Sequence, residues 1–184
     1  MKNADRKERL TFWKFAYARA AFADVSAWCA WLRKCKLPLG DSVRKAVSVG
    51  IVVAYGRPFK QRKAVRIPED IVPSEHMPTH RTLIEIRDKC VAHKDTDGPF
   101  AEHGHVNQLE LYFKNGQMTV HTWNPHLGDE TAGDIQQLAD VLVEKTTYHM
   151  RKFTQRHFRR TAVPDGEYRL NLDDNPEDWL ERQV

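Results

Sequence analysis

The sequence predicts a mainly α-helical protein, an up-and-down four-helix-type bundle with an inserted β-hairpin at about residues 106–123. Three observations carry that prediction. Residues 4–36 contain no Gly or Pro and repeat apolar side chains at helical spacing. A second long stretch, from Asp129 through Ile135, Leu138, Leu142, Met150 and Phe153 to about Phe158, also repeats apolar side chains at helical spacing. Between them, Leu109, Leu111 and Phe113 alternate with polar residues, Asn115-Gly116 follows, and Met118 and Val120 alternate again.

The first helix carries two apolar stripes. Leu10, Trp13, Tyr17, Trp28 and Trp31 form one, and Phe15, Phe22, Val25, Cys29 and Leu32 the other. Burial on two sides places it between partners in a bundle or in a dimer seam. Leu37-Pro38-Leu39-Gly40 breaks the chain, and Asp41 or Ser42 can cap a second helix through Val47 and Ile51 that ends at Gly56-Arg57-Pro58. The β-branched run from Val47 to Val53 also suits a strand; Ala46, Gly50 and Ala54, four apart, favour helix. Pro68, Pro73 and Pro78 keep the chain irregular to Thr79, where a third helix begins and runs to about Ala92 with Leu83, Ile86 and Cys90 facing the core. In the hairpin, a two-residue turn pairs Phe113 with Met118 and Leu111 with Val120, so its apolar face has to pack on helices.

The totals bound the function classes. A chain of 184 residues fits one helical domain, 1–160, followed by an acidic tail, 161–184. The charged start and the interruptions at Lys14, Arg19 and Asp24 fit neither a signal peptide nor a spanning helix, so a cytoplasmic protein with no membrane role is expected. Cys29, Cys35 and Cys90 match no zinc ribbon or redox pair and read as free thiols. The tail from Asp165 has seven acidic residues against Arg169 and Arg182, so the net charge of +4 conceals a more basic body suited to a polyanion.

Chemistry concentrates where the third helix ends. Arg87, Asp88 and His93 lead into a loop, where a His titrates near neutral pH. An Arg supplies fixed charge and a donor fork for phosphate oxygens, and a His moves protons. The pair is a minimal kit for metal-free RNA cleavage, in which the 2′-hydroxyl attacks its own phosphate, His93 serves as base or acid and Arg87 stabilises phosphoryl charge. On an ideal helix, residues six apart point roughly 120° from each other, so one helix does not build the site alone. A helix ending near Ala92, or a second protomer, has to complete it.

The stretch from Ile86 to Asp95 resembles the R-polar-x(3-5)-H motif of the HEPN superfamily in its "RDK..AH.D" form. Tyr55-Gly56-Arg57-Pro58-Phe59 resembles the "Y.RPF" segment that accompanies it in a group of bacterial HEPN-like proteins. The resemblance implies a helical bundle that dimerises with two motifs facing each other. Many superfamily members are metal-independent RNases in toxin-antitoxin, antiphage and RNA-processing systems, and others are catalytically silent binding modules. By motif matching Arg87 and His93 take the catalytic positions and Asp88 the polar position beside the arginine.

Other residues have two readings each. Arg57 either caps carbonyls at a helix end or supports the site. His80, seven before Arg87, is either structural or faces the site. Lys60, Arg62, Lys63 and Arg66, with Arg151, Lys152 and Arg156 on the fourth helix, either track a phosphate backbone or are solvated surface. The nine His include no i,i+4 pair with a matching acid, and no P-loop or GxGxxG is present, so no metal and no cofactor is expected. The expected partners are a second copy of the chain, RNA, and a protein antitoxin or regulator. Endoribonuclease and non-catalytic binding module both stay open.

Overall fold

The computed structural model describes residues 4–60, 66–92, 99–100, 104–105, 109–122, 126–158, 165–172 and 180–183. Among them are four α-helices: α1 (Arg6–Cys35), α2 (Ser42–Lys60), α3 (Met77–Ile86) and α4 (Asp129–Phe158). The mainly helical bundle with an inserted hairpin is therefore the architecture found. The two long helices form its spine. Asp5 caps α1, its carboxylate accepting from the Glu8 amide at 2.8 Å. Phe15, Phe22, Val25, Cys29 and Leu32, spaced three, four or seven apart, are buried, so this stripe is the core face of α1. Along its length α1 is tied antiparallel to α4. Glu8 pairs with Arg156, Arg19 donates to Thr147 at 3.0 Å, Ser26 to Asp140 at 2.6 Å, and Arg33 to Gln136 at 3.1 Å. Burial pushes the Cys29 thiol up to about 12, helped by Asp140, which suits it to the core rather than to reaction.

The second stripe of α1 behaves differently. Trp28 and Trp31 stay 39% and 41% exposed. Trp28 nonetheless lies over Gly50, where a Cβ would sit 3.5 Å from the indole, in ordinary van der Waals contact.

Asp41 caps α2, accepting from the Val43 and Arg44 amides at 2.8 and 3.1 Å. The run from Val47 to Val53 is helix, not strand. One expectation fails: α2 does not stop at Gly56-Arg57-Pro58 but continues to Lys60 with Pro58 inside it. The cost of a missing amide in the last turn is met by tertiary contacts. Phe59 is buried against Phe22, Tyr55 and His80, with ring centroids 5.8, 5.5 and 4.7 Å away, and the Pro58 carbonyl accepts from the Ile67 amide at 2.9 Å. Arg44, buried in the opposite turn of α2, donates to Leu127 O (2.9 and 2.7 Å), Leu37 O (2.7 Å) and Asp129 (2.6 Å), joining α2 to the start of α4.

The segment after α2 is less irregular than its prolines suggest. Two single 3-10 turns, Glu69–Ile71 and Ser74–His76, lead into α3, which begins at Met77 and places Pro78 in its first turn where no amide is needed. Helical winding reaches Ala92 as expected, but it is α-helical only to Ile86, and Arg87–Ala92 form a π-helical turn. Leu83 and Ile86 are buried as expected; the Cys90 side chain lies outside the described residues.

Short pairs, β1 (Pro99–Phe100) with β2 (Gly104–His105), sit where a loop was expected. The hairpin of β3 (Leu109–Lys114) and β4 (Gln117–Thr122) has the expected register, Phe113 opposite Met118 and Leu111 opposite Val120. Asn115 (φ 51°) and Gly116 (φ 76°) both take positive φ, the geometry of a tight hairpin turn. Among the described side chains of its apolar face none is buried as expected, since Phe113 is 73% exposed and Leu111 and Met118 are also exposed. The chain end, expected as an acidic tail, carries a third hairpin, β5 (Glu167–Leu170) with β6 (Leu180–Gln183). Leu170 and Leu180 pack with Phe12, Phe153 and Phe158 at the end of the α1/α4 pair.

Candidate functional site

The α2 C-terminus and the end of α3 meet face to face, and two groups of polar side chains lie between them. The inner group is built on Tyr55 and His80. His80 is buried, and its Nδ1 lies 2.7 Å from the Tyr55 hydroxyl. Burial lowers the His80 imidazole from its ordinary value although Glu69, whose Oε2 is 3.8 Å from Nε2, pulls the other way. Burial likewise raises the Tyr55 phenol and keeps it protonated. The Glu69 carboxylate on the Nε2 side favours the tautomer with its ring proton there, which leaves Nδ1 to accept from the Tyr55 hydroxyl.

The outer group is built on Arg87, Asp88 and Lys60. Arg87 opens the π-helical turn and lays its stem across Gly56, where a Cβ would lie only 3.1 Å from both Cγ and Cδ. A glycine at 56 is thus the bed of the arginine. Arg87 Nη1 donates to Asp88 Oδ1 at 2.7 Å, and Lys60 Nζ reaches Asp88 Oδ2 at 2.9 Å. The three side chains are 28%, 35% and 29% exposed in the order Arg87, Asp88, Lys60. Partial burial by itself would raise the Asp88 carboxyl, but the hydrogen bonds from Arg87 and Lys60 outweigh it and hold the group below the usual carboxylate range. Lys89 is engaged elsewhere, on Glu85 at 2.7 Å.

Of the residues singled out in the sequence, the structure brings Arg87, Asp88 and Lys60 together. His80 lies beside them but is buried, so it holds the α2 end through Tyr55 and Phe59 rather than facing solvent. Arg57 is exposed, and among the described residues no ion pair joins it to the outer group. Arg66 pairs with Glu69 at 3.4 Å. His93, Arg62 and Lys63 lie outside the described residues.

The basic residues of α4 form a separate region. Phe22 of α1 meets Phe59 of α2, and Arg19 meets Thr147, so the α2 end is level with the middle of α4. Arg156 lies nine residues beyond Thr147, about 13 Å further along at 1.5 Å per residue, where it pairs with Glu8. Arg151 and Lys152 are exposed, and Lys152 Nζ stands 4.4 Å from the centre of the Tyr148 ring. Next to Tyr148, His149 stacks on Phe15 with centroids 4.1 Å apart and planes 4° from parallel, between two open clefts of about 600 and 570 Å³. His149 lies among the basic charges the sequence shows on this helix, whereas Tyr148 was missed; its i, i+3, i+4, i+7 spacing with Lys145, His149 and Lys152 was the available signal.

Lys60 within the arginine site and the bed at Gly56 were also missed as such. The Tyr-Gly-x-x-x-Lys spacing at the α2 end becomes informative only if the helix continues through Pro58. Comparison of the chain with protein-family models, with curated proteins and with solved structures finds no match.

Proposed function

We propose that the chain is a metal-independent endoribonuclease that works as a homodimer, with Arg87 and His93 carrying the reaction. The observation that supports this reading best is the outer group: a partly exposed guanidinium, fixed on Gly56 and accompanied by Lys60, at the start of the turn that leads to His93. Such a group suits a phosphodiester, because two cations there meet the charge on the non-bridging oxygens. In the proposed reaction the ribose 2′-oxygen forms a bond to phosphorus as His93 takes its proton. The bond from phosphorus to the 5′-oxygen breaks, that oxygen receives a proton, and the products are a 2′,3′-cyclic phosphate and a 5′-hydroxyl. Arg87 stabilises the charge that grows on the phosphoryl oxygens.

The dimer is supported by the α1 surface that exposes Trp28 and Trp31, three residues apart, an apolar face which a second copy would cover. A protein antitoxin or regulator, in a defence or toxin-antitoxin setting, is the partner this reading entails. The test is cleavage of a labelled RNA in excess EDTA, with a DNA strand of the same sequence as control. Wild type should cut the RNA alone, and His93→Ala should cut about 10²- to 10⁴-fold more slowly. Binding without any cyclic-phosphate ends, or a His93→Ala variant as fast as wild type, replaces the nuclease with a nucleic-acid-binding module.

A further inference from the structure

We propose that Lys60 and Arg87 are the two halves of one phosphate-binding subsite, and that the Asp88 carboxylate occupies it in the free protein and is displaced by a nucleic-acid phosphate. The inference deepens the nuclease reading and rests on it for the choice of ligand, a phosphodiester, but it concerns binding alone.

The geometry is that of an occupied anion site. The two cations take one oxygen each of a single carboxylate, Arg87 Nη1 on Oδ1 at 2.7 Å and Lys60 Nζ on Oδ2 at 2.9 Å. A phosphodiester presents two non-bridging oxygens on one centre in the same way, so the pair can pass from carboxylate to phosphate without either cation changing its role. All three side chains keep roughly a third of their surface in water. An ion pair so exposed is weak, so another anion can exchange for it readily. The backbones that carry the two cations are placed without Asp88. The Arg87 stem is seated on Gly56. Lys60 closes a helix end held by buried Phe59 and by the bond from the Ile67 amide to the Pro58 carbonyl. Asp88, held ionised by these partners, neutralises part of the local charge until a stronger anion arrives.

This arrangement gives Asp88 a sign that a positioning or catalytic role would not. Removing its charge should strengthen binding. The experiment is a titration of full-length protein with a fluorescent DNA strand, which lacks the 2′-hydroxyl and is not cut, across a range of salt concentrations. Asp88→Asn should bind the strand roughly three- to tenfold more tightly at low salt than wild type. Its plot of log affinity against log salt should keep the wild-type slope, because the same two cations meet the strand in both proteins. Lys60→Gln should bind more weakly and with a shallower slope, and this variant tests the subsite independently should Asp88→Asn fold poorly. Unchanged or weaker affinity in folded Asp88→Asn, or an unchanged slope in Lys60→Gln, overturns the proposal. The two readings separate cleanly. A protein that shows these responses but never cuts RNA keeps the subsite and loses the nuclease; one that cuts RNA while both variants bind like wild type keeps the nuclease and loses the subsite.

Discussion

Two polar groups lie between the same pair of helices, a few residues apart, and they have opposite characters. Tyr55, His80 and Glu69 form the inner one, where a histidine is buried, neutral and bound to a phenol. Arg87, Asp88 and Lys60 form the outer one, where three charges share water with each other. Burial makes the difference. A polar group removed from water has to be satisfied within the protein, and once satisfied it specifies packing. A group left at the surface gains little from its partners and stays available to a ligand. The comparison assigns stability to the inner group and binding to the outer one.

The largest expected effect tests the inner half. His80→Ala removes a buried ring packed on Phe59 and leaves the Tyr55 hydroxyl without its acceptor. The loss should be about 3 kcal/mol in chemical denaturation, which corresponds to roughly 10 °C in Tm for a chain of this size. A loss below about 0.5 kcal/mol would break the assignment of His80 to the fold.

Arg87→Ala tests the outer half and should do the reverse. It removes a partly exposed ion pair and the stem that lies on Gly56, so stability should change by only about 1 kcal/mol. RNA affinity and cleavage should both fall, each by about tenfold or more, because a guanidinium acts on bound phosphate as well as on the transition state. If this variant unfolds as readily as His80→Ala, the two groups are not separable.

Gly56→Ala probes the boundary between them. The new methyl would press on Arg87 Cγ and Cδ at 3.1 Å, and the flexible stem has to move aside. Stability should stay within about 1 kcal/mol of wild type, since helix propensity favours Ala over Gly by a similar amount. Strand binding should weaken a few-fold, as measured by the same fluorescence titration.

The smallest effect is a difference in pH dependence. The folded-state His80 titrates below its ordinary value near 6.5, so its contribution is intact above about pH 6.5. As pH falls below that value the unfolded chain takes up a proton that the folded chain refuses, and stability declines until pH passes the folded value. His149, also lowered by burial and then by Lys152, contributes in the same direction. Asp88 is lowered too, but from a carboxylate value near 3.9, so its contribution is lost only in more acid solution. A denaturation series from pH 8 to pH 3 should therefore show a decline beginning near 6.5 that is reduced in His80→Gln and unaltered in Asp88→Asn.

What the sequence by itself determined is local. The bounds of α1 and α4 follow from apolar spacing and the Asp5 cap, and the β3–β4 register follows from Asn115-Gly116, because each signal lies within a few residues of what it specifies. Arg87 and Asp88 were legible as a pair for the same reason. Partners far along the chain were not. Whether α2 passes through Pro58 depends on Phe59 finding Phe22 and His80, whether Arg44 is buried depends on Leu127, and whether Lys60 belongs with Asp88 depends on a contact across 28 positions. The two later hairpins make the same point: the one with the clearer turn signal leaves Phe113 in solvent, while the one without it docks Leu170 and Leu180 on the helices. Turn chemistry sets which residues face each other, but burial depends on what the rest of the chain places opposite them, and only the tertiary structure decides that.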